Sequence, residues 1–127
     1  MSKQCSEFFS RPAGAREKLF QTYPLEAQLT IYRCGMNRVP PDTYLASYIA
    51  DRGKEVIPIL LERLKAEPDE FSQHAIINIF EMLAVKGHMQ NRTDVAEEIR
   101  RVVNRMKIDL YRKMAARSLE KIENDIK

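Results

Sequence analysis

In residues 53–87, GKEVIPILLERLKAEPDEFSQHAIINIFEMLAVKG, apolar side chains return every three or four positions through two consecutive segments. Only a helix places residues at that spacing on one side. Val56, Leu60 and Leu64, with Ile57 and Leu61 beside them, make the first stripe, and Phe71, Ala75, Ile76, Ile79, Phe80, Met82 and Leu83 make the second. Pro68, Asp69 and Glu70 suit the first turn of the second helix, where a missing N–H is harmless and acids face the positive end of the helix dipole. Gly87 is placed to end that helix. Pro58 falls early in the first helix, and a bend is expected where the carbonyl of Lys54 loses its donor. Two helices back to back cannot cover both of their apolar sides, so the pair must pack against further elements.

The rest of the chain supplies them. Val95, Ile99, Val102, Val103 and Met106 form a third stripe, and Tyr111, Met114, Ala115, Leu119 and Ile122 a fourth. Leu64-Lys65 aligns with Met106-Lys107, and Phe71-x-x-x-Ala75-x-x-x-Ile79 with Tyr111-x-x-x-Ala115-x-x-x-Leu119. That is an internal repeat of about 40 residues, the period of two-helix solenoid units. Upstream, Pro24 opens a helix carrying Leu25, Leu29, Tyr32 and Met36; the turn RVPPD leads into a shorter helix, TYLASYIADRG, which ends at Gly53. Residues 14–22 read as a short capping element bringing Leu19 and Phe20, and residues 1–12 as a frayed terminus. The expected fold is all-α: about three antiparallel helix pairs in a single domain over residues 13–127.

With 127 residues, four Gly and six Pro, the chain is long enough for a hydrophobic core and too apolar for disorder. No apolar run approaches the eighteen or so residues of a membrane span, and the opening MSKQCSEFFS has no signal-peptide core. As given, the chain reads as soluble and cytoplasmic. The alternative rests on Cys5: Cys-Ser before a short polar segment is how a mature bacterial lipoprotein begins, which makes Cys5 a lipidation candidate and the protein periplasmic if a native leader has been replaced. Cys5 and Cys34 lie far apart, with neither a CxxC nor a histidine at ligand spacing, so no metal knuckle or disulfide scaffold is indicated.

Residues 53–87 resemble a HEAT repeat: an apolar first helix with an early proline, a Pro-Asp turn, and a second helix that ends before Lys-Gly. The likeness is fainter over 94–123 and only architectural over 24–52, and Ile76, Ile77 and Phe80 stand where the family carries small alanines. The whole chain also resembles short bacterial proteins of this type. The resemblance implies a short right-handed α-α superhelix and a binding or scaffolding role for a protein or peptide, with no chemistry of its own.

Catalysis finds no constellation in the residues. His74 and His88 are the two histidines, each read as a surface or rim residue, and neither a Gly-rich phosphate loop, a GxSxG elbow nor an HExxH occurs. No enzyme activity, cofactor or metal is expected. In a solenoid the row of second helices usually binds the partner, which here singles out Gln73, His74 and Asn78, then Arg112 and Arg117. Tyr44 and Tyr48, four apart on the short helix, either stack on a ligand or close the edge of the core. Residues 1–90 hold eleven basic and eleven acidic side chains and residues 91–127 ten and seven, so the last helical pair carries the whole net charge of +3. Arg100, Arg101, Arg105, Lys107 and Lys113, with Arg112 and Arg117, form a basic end. It is read either as the solvated side of two helices or as an alternative nucleic-acid or phosphate site.

Overall fold

A computed structural model describes residues 2–126, and among them the chain is all-helical, with eight α-helices, 76% helix and no strand. In order these are α1 (Lys3–Phe9), α2 (Ala13–Thr22), α3 (Leu25–Met36), α4 (Leu45–Ala50), α5 (Ile57–Ala66), α6 (Glu70–Val85), α7 (Thr93–Arg105) and α8 (Asp109–Asp125), with a 3-10 turn at Gly53–Val56 before α5. The chain divides into two compact units, Met1–Ile49 and Ala50–Lys127, where one domain over 13–127 is expected from the pattern. Met1, in the segment expected to fray, and Lys127, at the end of the expected domain, lie outside the described residues.

In the first unit, the expectation of a frayed 1–12 is corrected. Ser2 Oγ accepts from Cys5 N at 3.2 Å and starts α1, whose Cys5 and Phe8 are fully buried. Cys5 is bonded to Cys34 of α3 in a disulfide with Cα atoms 6.4 Å apart. The sequence separation of 29 carried no hint of this, because contact between α1 and α3 depends on the turn of the chain between them. Phe8 meets Phe20 of α2 edge-on, with ring centroids 5.9 Å apart. Gln28 is buried as well, its Nε2 donating to the Phe20 carbonyl at 2.8 Å. Gly35 sits at a close approach: a Cβ there would come within 3.2 Å of both the Phe9 ring and Asp42 Cβ, so those neighbours would have to give by a few tenths of an ångström.

In the second unit, Pro58 falls in the first turn of α5, so the expected bend is not needed: the 3-10 turn absorbs the missing donor and the α-helix begins after it. Asp69, not Pro68, opens α6; its carboxylate accepts from Ser72 N at 3.0 Å and from Ser72 Oγ at 2.9 Å. At the other end, His88 N donates to Leu83 O at 2.9 Å and Gly87 N to Ala84 O at 3.0 Å, with Gly87 at φ +80. This is the paired closure that a left-handed glycine allows. The helix α6 packs most extensively on α8, α8 also on α7, and α5 on both α6 and α7. The core between them is Leu60 and Leu64; Ile77, Ile79, Phe80 and Leu83; Val95 and Ile99; and Ala115, Leu119 and Ile122. Met114, placed by its spacing on the buried stripe of α8, is instead exposed.

Candidate functional site

The row of polar residues along α6 is largely committed to the fold. The apolar residues Ile76, Ile77, Ile79 and Phe80 run around most of α6, so the helix lies between α5 and α8 with little surface of its own. His74, read from the sequence as a rim residue, is only 5% exposed. Its ring stacks on Tyr111 of α8, with centroids 5.4 Å apart and planes 10° apart, and meets Phe71 edge-on at 5.1 Å. Gln73 Nε2 donates to the Glu67 carbonyl at 2.7 Å, and Asn78 is half-buried. Glu70, whose acidity is explained in the sequence by its own helix dipole, reaches the next helix pair. Its carboxylate accepts from Lys107 N at 3.0 Å and Ile108 N at 2.9 Å, where α8 has no side-chain cap of its own. No periodicity argument finds that contact, since it spans two elements 37 residues apart.

Tyr44 and Tyr48 belong to the first unit, and the α6 and α8 residues to the second. Tyr48 is half-buried and tilted over Phe20 at 6.3 Å, and Tyr44 lies edge-on to it at 6.4 Å. Packing therefore accounts for Tyr48, while Tyr44 stays exposed. The lipidation reading of Cys5 is corrected by the disulfide: its sulfur is bonded to Cys34 and no thiol is left to carry a lipid.

The basic end divides in two. Arg100 pairs with Glu123, Arg101 with Glu98 and Arg112 with Asp109. Arg105, Lys107, Lys113 and Arg117 make no ion pair among the described residues, and all four are exposed. Nearby, Arg92 Nε and Nη2 grip Asp94 at 3.0 and 3.2 Å. That hydrogen-bonded pairing holds the Asp94 carboxyl below the ordinary carboxylate range and the Arg92 guanidinium above its own.

A second feature of α8 was not legible as a site. Its buried residues Ala115, Leu119 and Ile122 define the core side. Leu110 and Met114, four apart, lie on the opposite side together with Lys113 and Arg117. Leu110 is 62% exposed, Met114 41%, and Ile108 just before the helix 50%. An open groove of about 350 Å³ between α7 and the end of α8 is bordered by Thr93, Ala96 and Ile126 and bridged by the Arg100–Glu123 pair. Among the described residues, no three His, Cys, Asp or Glu side chains gather where a metal ion would be held, and no helix is long and apolar enough to cross a membrane. Neither a family model, a curated protein nor a solved structure matches the chain.

Proposed function

We propose that the chain is a non-enzymatic protein-interaction module of HEAT-like construction, binding its partner through the outward side of α8. The order of packing supports the construction. In residues 57–125 α5 pairs with α6 and α7 with α8, and like helices lie together, α6 on α8 and α5 on α7, as stacked two-helix units do. One observation carries the binding role: a helix sealed into the core along one side presents two large apolar residues to water along the other. The surface that sequence reasoning favoured on α6 is withdrawn from this role, because His74 is packed away and Gln73 is bonded to the Glu67 carbonyl at the end of α5.

A photo-crosslinking residue at Met114 tests the reading. In native extract it is expected to trap one discrete protein band that the same probe placed at Glu55, an exposed position before α5, does not. Equal labelling from both positions counts against it. The second reading, nucleic acid on Arg105, Lys107, Lys113 and Arg117, rests on their lack of ion pairs. It requires affinity for duplex or single strands that falls steeply with salt, and shallow salt dependence removes it. The Cys5–Cys34 disulfide supports an oxidising compartment in place of the cytoplasm, which rapid thiol trapping in the cell checks directly.

A further inference from the structure

The outward side of α8 has a specific chemical character. Leu110 and Met114 form a ridge of the i, i+4 kind, the feature that a second helix accommodates in the groove between its own side-chain rows. Lys113 and Arg117 run along one flank of that ridge, and Lys107 and Arg105 stand just before α8. The other basic residues of α7 and α8 have a different fate. Arg100, Arg101 and Arg112 are matched by Glu123, Glu98 and Asp109, and Lys121 reaches Glu81 at 3.6 Å. The protein neutralises its cations elsewhere on this pair of helices and leaves them unmatched beside the exposed ridge.

Resting on the interaction reading above, we propose that this face docks an amphipathic helix of a partner protein, with apolar residues astride Leu110 and Met114 and acidic residues along the flank that meets Lys113 and Arg117. Charge complementarity selects the acids, and the exposed apolar pair selects a partner that can exclude water from them. Phosphate backbones match the cations and leave the apolar pair in water. An anionic membrane is also a poorer occupant, because α8 is held in the core by Ala115, Leu119 and Ile122 and offers only Ile108, Leu110 and Met114, none of them aromatic.

The probe is a synthetic helix of about five turns with Leu at i, i+4 positions and Glu along one flank, followed by fluorescence anisotropy on the full chain. Saturable binding is expected, weakening by about tenfold in the L110A/M114A variant and by about tenfold between 0.05 and 0.3 M salt. The K113E/R117E variant is expected to lose the acidic probe and gain one in which Lys replaces every Glu. All these positions are exposed, and unchanged helicity by circular dichroism certifies the variants. The proposal is overturned if the lysine probe binds the unmodified chain as well as the acidic one, or if no binding occurs at millimolar probe. It is equally overturned if anionic vesicles or duplex DNA compete fully at this face, or if sedimentation shows the face occupied by a second copy of the chain. Should Met114 crosslink a discrete protein while the acidic probe fails, the partner chemistry falls and the interaction role stands; failure of both removes both.

Discussion

At the scale of single residues, the Cys5–Cys34 bond has the largest consequence. It closes a segment with a sequence separation of 29. For a loop of that length the entropy model assigns about 3–4 kcal/mol of stabilisation. The helix it holds has seven residues, too few to persist alone in water. Reduction, or Cys34→Ser, is therefore expected to lower the unfolding free energy by about that amount and to make the bond after Lys3, at the start of α1, a rapid trypsin site. Denaturant titration and timed proteolysis, with and without reductant, check the two effects. The Arg92–Asp94 pair gives a signed pH dependence. Because pairing lowers the folded-state pKa of Asp94, its contribution is present above the unfolded value of about 3.9 and disappears as pH falls through the lower folded one. The pair is exposed, so the effect on stability is small and carboxyl NMR is the suitable measurement. The Asp94 midpoint should lie below that of an ordinary aspartate and rise toward it in Arg92→Gln. Such pairs cannot be chosen from sequence: spacing suggests Glu97 with Arg101 and Asp109 with Lys113, whereas the arginines turn to Glu98 and Asp109 three residues away.

At the scale of elements, termini and packing sides differ in how well they are written in the chain. The helices α3 and α5 to α8 follow from apolar periods, and the end of α6 from Gly87, because local rules govern both. Which side of α8 faces inward did not follow, since Tyr111, Met114 and Ala115 all satisfy a three-to-four spacing and only the position of α6 decides among them. His74 was misplaced for the same reason: an element that is apolar nearly all round is buried nearly all round, and its few polar residues go inside with it. Two caps separate local from cross-element effects. Asp69→Ala should cost about 1 kcal/mol through its own helix. Glu70→Ala should also cost about 1 kcal/mol, but at the start of α8, where the Lys107 and Ile108 amides lose their acceptor. Hydrogen exchange distinguishes them, with Ser72 faster in the first variant and Lys107 and Ile108 in the second.

At the scale of the whole molecule, the second unit is organised around α6. Phe80 is completely buried there, and Phe80→Ala is expected to lower stability by about 3–5 kcal/mol, read as a shift in the denaturant midpoint. Amide exchange in native conditions should be slowest along α6 and fastest in the α6–α7 connection, which has no regular helix. Under the proposed docking role, the two-sided character of α8 separates folding from recognition along one helix. Residues 110, 113, 114 and 117 can be rewritten without disturbing Ala115, Leu119 or Ile122. Under the docking role proposed above, editing these four letters would retarget the protein while the scaffold beneath them keeps its shape.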